Sequence, residues 1–492
     1  MKLLSFCAVH RLFVVLLFAT TLGSGMSTAE AQVSRHPNIV LIMADDLGYG
    51  DLRCYNSRAR TQTPNLDRLA TEGMRFTDAH APAAVCVPTR YGLLTGRYPF
   101  RMSPRPRGTP LLEPGRPTLA SLLSQRGYHT ACIGKWHLGM GDAPPDYAAP
   151  MRGGPVDRGF DHFFGIPASL DIPPYYYILN DRAVAPPSQT IAANNSPDYT
   201  PIQGAFWRAG GIAPDFKHED VLPRLTHQAI DYLKSRDAAS NEKPFFLYLA
   251  LTAPHTPWLP TSEFQGKTEV GSYGDFVLQV DDSVGRVLKA IDALQLRDDT
   301  LVIFTSDNGP VWYPEDEKRF SHRATGPLRG MKGDAWEGGH RMPLLARWPE
   351  RIEAASTQQG MICHTDLMAT VAELTEQKLP ENAGEDSVSF LPVLLGSDAT
   401  GPLRRTLVSQ SSRNVLAIRQ GPWKLIPALG SGGFTKPPVV KPSPDGPAGQ
   451  LYNLETDLAE TENLWTREPE MVQRLTQLLK RYQSDGRGTP AP

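Results

Sequence analysis

Two pairs of short oxygen-bearing side chains stand out for the chemistry they could do. Asp45-Asp46 follows the apolar run "NIVLIM" at 38–43, and Asp307-Asn308 follows "TLVIFTS" at 300–306. Hard oxygen ligands of this kind suit Ca²⁺ or Mg²⁺, whereas zinc prefers His and Cys. A single Asp-Asp after a strand more often caps a turn or a helix. Two such pairs in one chain shift the balance to a cation site. A basic set accompanies them: Lys135 and His137 in "GKWHLG", His255 in "APHTPW", Lys332 in "LRGMKGDAWEGGHRMP", and Arg90. Each alone would pass for a structural or solvated side chain. Together they suit an oxyanion, sulfate or phosphate, whose developing charge a metal and several cations can steady.

Cys86 lies in "AAVCVPTRYGLLTGR", residues 83–97. One reading is a buried structural thiol. Another is a thiolate nucleophile at a helix start, where Pro88 suits the first turn and the helix's positive end lowers a thiol pKa. A soft thiolate matches a hard-metal site poorly, and an oxygen nucleophile would match it far better.

The elements that must position these groups follow from patterning. Continuous apolar runs at 38–43, 129–135, 244–255 and 300–309 read as strands buried on both faces. Helix-period segments at 64–73, 117–126, 221–235 and 274–294 alternate with them. The pattern predicts an α/β fold: a large, mostly parallel mixed sheet flanked by helices. The polar pairs fall at strand ends, where open α/β sheets place their ligand crevice. Residues 141–220 read as long loops over the site, and 401–426 alternate in antiparallel style. The Gly/Pro-rich stretch 430–447 reads as a flexible loop, and 468–483 as an amphipathic helix. The expected organisation is a catalytic domain over 36–395 and a small C-terminal α+β antiparallel-sheet subdomain over 396–485.

Residues 1–31 differ from the rest. Lys2 and Arg11 precede the uncharged run Phe13–Leu22, and Ala29-Glu30-Ala31 offers a cleavage site. This predicts a signal peptide cut after Ala31 and a protein exported to the periplasm or secreted. The run is too short to span a bilayer, and Cys7 precedes it, so no stable membrane anchor is expected. The net charge of -2 over 492 residues gives no basic field for nucleic acid. Four cysteines would remain after cleavage. With Cys86 set aside for chemistry, Cys54, Cys132 and Cys363 can form at most one disulfide.

The run "CVPTRYGLLTGR" resembles the signature of the type I, formylglycine-dependent sulfatases, Cys-x-Pro-x-Arg followed by Leu-Thr-Gly-Arg. "ADDLGYGD", "GKWHLG", "SDNG", "WEGGHRMP" and the ending "LYNLETDLAETENL" occur in family order, so the resemblance covers about 36–485. Thr89 stands where the family more often has Ser. The resemblance implies an alkaline-phosphatase-like fold and conversion of Cys86 to formylglycine by a formylglycine-generating enzyme. It further implies that Asp45, Asp46, Asp307 and Asn308 bind Ca²⁺, with Mg²⁺ also compatible, and that the modified Cys86 joins them as nucleophile through a diol oxygen. Arg90 would steady that diol. Lys135, His255 and Lys332 would hold the sulfate, His255, alone or with Lys332, would protonate the leaving alcohol, and His137 would be the base that restores the aldehyde.

The expected activity is that of a sulfuric ester hydrolase acting on a sulfated sugar, with 6-sulfated N-acetylgalactosamine or galactose as the leading substrate. Ser169, Asp171 and Tyr175–Tyr177 in one loop, and Trp207, Arg208 and Asp215 in another, are candidates for sugar contacts. Two other functions compete. One is a phosphodiester or phosphonate ester hydrolase of the same superfamily, and the other is a non-catalytic protein that binds sulfated glycans.

Overall fold

In the computed structural model the described residues are 36–105, 109–142, 145–236, 243–396 and 403–489. The expected signal peptide, 1–31, lies outside them. The strand Asn38–Asp45 is buried along almost its whole length and sits inside an eleven-stranded sheet. Thr300–Ser306 and Phe245–Pro254 flank it, both parallel. His129–Lys135 and His162–Ile166 continue the parallel series beyond Phe245–Pro254. These are the runs without polar alternation, as burial on two faces requires.

The sheet extends further than the apolar runs alone indicate. Arg341–Arg347 lies antiparallel between Thr300–Ser306 and Met74–His80. Neither Arg341–Arg347 nor Met74–His80 shows as a long apolar run, because charged and polar residues bound or interrupt each. His162–Ile166 adds a parallel strand within the segment expected to be loops.

Helices Pro64–Thr71, Leu119–Ser124, Val221–Lys234 and Gly271–Ala293 stand where the periodicity places them, with ends shifted by a few residues. Thr118 starts one by a capping box: its hydroxyl accepts the Ser121 N–H at 3.1 Å, and Ser121 Oγ accepts the Thr118 N–H at 2.9 Å. Another buries Val221, Leu222, Leu225, Ala229 and Leu233, a stripe at helical spacing.

Thr406–Gln410, Leu416–Gln420, Trp423–Ile426 and Gln450–Asn453 form a second, wholly antiparallel sheet. The helix Pro469–Ser484 covers it, packing Leu475 and Leu479 among Val408, Ile418, Leu425 and Leu451. Each such leucine contributes about 1.5–3 kcal/mol by burial. The first part of the stretch expected to be a flexible loop is instead tied down. Ser431 and Gly432 donate their N–H groups to Pro437 O and Pro438 O, at 3.2 and 2.9 Å. Asp334, from the catalytic part of the chain, accepts the N–H groups of Phe434 and Thr435 at 2.8 and 3.1 Å.

Candidate active site

Strand ends bring the polar pairs together. Asp45 ends one strand and Lys135 its second neighbour, and Lys135 Nζ donates to Asp45 Oδ2 at 2.5 Å. Gly134 allows that approach. Its φ is +127°, and a Cβ there would lie 1.8 Å from the Ala250 carbonyl oxygen. Asp46 has φ +65°, a left-handed conformation that costs a non-glycine residue energy and clusters at functional sites. That turn aims its carboxylate at Lys332 Nζ, 2.6 and 2.8 Å away, and at Asn308 Nδ2, 2.7 Å away. Asp307 Oδ1 accepts the Asp46 N–H at 3.2 Å. Its Oδ2 accepts from Arg90 Nε and Nη2 at 3.2 and 2.8 Å.

The donor set fits a hard cation. Asp45, Asp46, Asp307 and Asn308 are all buried. Asp45 Oδ1 and Asn308 Oδ1, from two different strand ends, have no hydrogen-bond partner. Buried acceptors without partners are costly, and a Ca²⁺ or Mg²⁺ ion accepts such oxygens. Ligand atoms of Asp45, Asp46 and His255 also lie within 4.8 Å of one another. The carboxylates are unequal. Burial would raise the Asp45 pKa, but Lys135, His255 and Arg90 outweigh it and hold it below the usual range. Burial and the nearby Asp45 charge push Asp307 up, more than Arg90, Lys135 and Lys332 can offset.

Cys86 is the first residue of the helix Cys86–Thr95, with Pro88 in the first turn. The helix ends at Gly96, left-handed at φ +64°. Arg90, one turn along, is buried and donates Nη1 to Lys135 O at 2.9 Å. The surroundings of the thiol count against the thiolate reading. Burial raises the Cys86 thiol pKa, and Asp307 and Asp45 add to the rise against Lys135 and Lys332. Arg97, the last residue of the motif, faces Glu113 and Glu385, both at 3.4 Å, and braces the helix rather than the site.

Both histidines reach the cluster. His255 Nε2 lies 3.8 Å from Asp46 Oδ2. Its Nδ1 lies 2.6 Å from the Thr256 carbonyl oxygen. A carbonyl only accepts, so Nδ1 carries the proton and Nε2 is the exchanging atom. Sequence reasoning had no signal for this carbonyl, because a backbone oxygen leaves no mark on residue type. His137 has φ +58° and a buried Nδ1 without a partner. Burial, then Lys135, Arg90, His255 and Lys332, hold its pKa well below the usual value, so it is a neutral imidazole.

Asp51, also in the first motif, is structural. It accepts from Tyr273 OH at 2.5 Å, Gly48 N at 2.7 Å and His322 Nε2 at 2.8 Å, and so fixes the turn after Asp46.

The loop candidates divide. Asp171 Oδ1 lies 4.0 Å from His255 Nδ1 and has no hydrogen-bond partner, and the buried Ser169 hydroxyl has none either. Arg208 Nη1 binds the other Asp171 oxygen at 2.5 Å. Tyr175, Tyr176 and Tyr177 are not sugar platforms, as all three are buried. Tyr177 stacks on Phe164 and Tyr175 packs edge-on against His218. Trp207 stacks on His218 at 4.9 Å, and Asp215 pairs with Arg224 at 3.8 Å on the exposed surface. Cys54, Cys86, Cys132 and Cys363 are all free thiols.

A second group of metal-ligand type, His80, Glu337 and His340, is buried elsewhere. Its cation position is already filled by Lys424, with Nζ 2.9 Å from Glu337 Oε1 and 3.2 Å from His340 Nε2.

Residues 37–377 match the sulfatase family. The chain belongs to the sulfatase family. As a sulfatase it is a sulfuric ester hydrolase, and the family implies a metal ion and a formylglycine. It is 36% identical over 488 residues to an N-acetylgalactosamine-6-O-sulfatase of Bacteroides thetaiotaomicron, covering 92% of this chain and 94% of the relative. It is also 36% identical to human arylsulfatase A, covering 94% and 91% of the two chains. A solved sulfatase structure from work on glycosaminoglycan metabolism by Bacteroides thetaiotaomicron superposes with a TM-score of 0.80 at 34% identity, over 92% of this chain and all of the other. The alkaline-phosphatase-like architecture expected from the motifs is the observed one. No helix among the described residues is long and apolar enough to cross a membrane.

Proposed function

We propose that this sulfatase removes the 6-sulfate from an N-acetylgalactosamine or galactose residue of a glycan. The observation that carries the reading is a pair of orphaned buried groups beside the sulfate site: Asp171 Oδ1, 4.0 Å from His255, and Ser169 Oγ. Sugar hydroxyls supply the donors and acceptors that such groups lack. The 36% identity to an N-acetylgalactosamine-6-O-sulfatase supports the choice of sugar.

The roles follow the geometry. Asp45, Asp46, Asp307 and Asn308 would hold the divalent cation, Ca²⁺ by preference, which when bound supplies positive charge beside the attacked ester. Cys86, after conversion by a formylglycine-generating enzyme, would present an oxygen in place of a thiol whose pKa is raised by burial. Arg90 keeps residue 86 oriented from one helical turn away, itself locked by Asp307 and the Lys135 carbonyl. Lys135, Lys332 and His255 bind the sulfate oxygens. With a proton on Nε2 as well as on Nδ1, His255, alone or with Lys332, gives the Nε2 proton to the leaving alcohol, and the Thr256 carbonyl keeps Nδ1 out of the exchange. His137, neutral and with an uncommitted Nδ1, takes the proton in the step that frees the enzyme. The protein would work outside the cytoplasm after removal of residues 1–31, with catalytic (36–395) and C-terminal (396–485) parts as read from the sequence.

The test begins with the mass of the proteolytic peptide carrying Cys86, taken from the native host. Loss of sulfur and gain of an aldehyde oxygen are expected. Sulfate release is then compared on 6-sulfated galactosaminides, a small aryl sulfate and the matching aryl phosphodiester. Turnover confined to the aryl sulfate would overturn the sugar assignment. Faster phosphodiester cleavage would overturn the choice of ester.

A further inference from the structure

The C-terminal sheet sends two loops to the edge of the site. Gly333 is the meeting point, one residue after Lys332. Its N–H donates to Ala84 O at 2.7 Å, two residues before Cys86, and its carbonyl accepts the Ser412 N–H at 2.9 Å. With φ +87°, it carries no side chain, and a Cβ there would lie 2.8 Å from the Phe434 ring. Asp334 fixes the facing loop by accepting from Phe434 N, Thr435 N and, at 2.5 Å, Thr435 Oγ1. A continuous chain of hydrogen bonds thus joins the Cys86 segment, the Lys332 segment and the loops around Arg413 and Phe434.

Between those loops lies a shallow cleft of about 610 Å³, lined by Arg413, Gly433, Phe434, Lys436, Pro437 and Pro438. Arg413 and Lys436 are exposed, and neither forms an ion pair among the described residues. No carboxylate lines the cleft. Two uncompensated cations beside an aromatic ring and two prolines suit a sugar ring that bears a negative group. Because the loop is already clamped, binding there would carry little ordering cost.

We propose that this cleft is a second anion-binding subsite, which takes the neighbouring sulfate or carboxylate of an oligosaccharide whose target ester lies at Lys332. The proposal rests on the sulfated-glycan reading. It makes the enzyme a reader of chain context: Phe434 supports the next sugar ring, and Arg413 and Lys436 neutralise its charge.

The test compares the mature wild-type protein with the double variant Arg413→Ala/Lys436→Ala. The substrates are a small aryl sulfate, a 6-sulfated chondroitin tetrasaccharide that carries carboxylates, and a 6-sulfated galactan tetrasaccharide that carries none. Both substitutions are on the surface, and an unchanged melting temperature verifies the fold. The ratio of kcat/KM for chondroitin tetrasaccharide to that for aryl sulfate should fall about tenfold in the variant, through KM. A parallel fall for the galactan assigns the subsite to sulfate, and its absence assigns it to carboxylate. An unchanged ratio for both oligosaccharides overturns the proposal. If the wild type cleaves only the aryl sulfate, the sugar reading has failed, and the subsite is judged by tetrasaccharide inhibition of that cleavage. Tenfold weaker inhibition of the variant upholds the subsite, and equal inhibition overturns it.

Discussion

Two of the buried clusters of charge among the described residues differ in how their hydrogen bonds end. Around Asp45 and Asp307, buried polar atoms stop without partners: Asp45 Oδ1, Asn308 Oδ1 and His137 Nδ1. Two residues there, Asp46 and His137, sit at positive φ. Around His80 and His340 the chain completes itself. Asp78 accepts from Arg419 Nη1 and Nη2, both at 2.8 Å, and from His80 Nε2 at 2.8 Å. Lys424 bridges Glu337 at 2.9 Å and Glu460 at 2.8 Å. Both clusters contain His and carboxylates within metal-binding reach. Only the first leaves buried oxygens with neither a hydrogen bond nor an ion pair, since Glu460 Oε1 in the second, though without a hydrogen bond, lies 2.8 Å from Lys424 Nζ. Unfilled acceptors together with backbone strain, rather than residue type, separate a site that awaits a ligand from one that holds a fold together.

The sharpest way to break this comparison is to disable the first cluster and look for a fold that survives. Cys86→Ala should abolish sulfate-ester turnover, a loss of about 10⁴-fold or more. Asp45→Asn should lower kcat/KM by about 10²–10³-fold. Chelation of the wild type should match Asp45→Asn, with activity returning on added Ca²⁺. Circular dichroism of Cys86→Ala should be native. An active Cys86→Ala protein would remove the nucleophile assignment, and indifference to chelation would remove the cation.

The second cluster should answer in the opposite way. Lys424→Met leaves Glu337 and Glu460 buried without their shared cation. Removing one partner of a buried pair typically costs about 3–5 kcal/mol. The urea midpoint should fall accordingly, while kcat per folded molecule changes by less than about threefold. A variant of unchanged stability and lost activity would mean that this cluster, too, serves the reaction.

What was legible in the sequence follows the same division. The first cluster could be read because its residues end apolar strands: Asp45 after "NIVLIM", Lys135 after "HTACIG", Asp307 after "TLVIFTS". Parallel strands carry their ends to one edge, so chain position alone brings these groups together. The second cluster could not be read. His80 and His340 lie on Met74–His80 and at the end of the short helix Glu337–His340, where neither strand nor helix shows as a long apolar run. Their partners come from the C-terminal part of the chain, Lys424 on the strand Trp423–Ile426 and Glu460 beyond the strand Gln450–Asn453, some 80 to 120 residues past His340. Tyr175–Tyr177 looked like a sugar platform because composition does not say which way an aromatic ring faces. Here Tyr177 packs against Phe164 and Phe216, Tyr175 against Phe216 and His218, and Tyr176 against Tyr147. The loop at 430–447 looked free because its anchor, Asp334, is 100 residues away in sequence.

The smallest effect concerns how one lysine serves two carboxylates. Lys424 holds Glu337 well below the usual range, with His80 and His340 assisting against burial. Glu460 is left the weaker partner: burial, with Glu337 adding to it, pushes its carboxyl up to about 7 against the pull of Lys424. An unfolded glutamate loses its proton near 4.5. Between about pH 4.5 and 7 the folded chain therefore keeps a proton that the unfolded chain has lost. Fewer protons on the unfolded state mean that this group's share of stability falls as pH rises through that window. Glu460→Gln removes the titration and can keep an oxygen for the Glu337 N–H, which now donates to Glu460 Oε2 at 2.7 Å. Urea midpoints should nearly coincide at pH 4.5, and the variant should gain on the wild type as pH rises to 7. Subtracting the two curves cancels the titrating groups that do not interact with Glu460, including His218, held at about 4 by burial, and His364, held at about 3 by burial. Parallel curves would mean that Glu460 is ionised in the folded protein throughout this range. Lys424 would then face two full negative charges, with Arg341 and Arg419 left to balance Asp78 and the rest of the Glu337 charge.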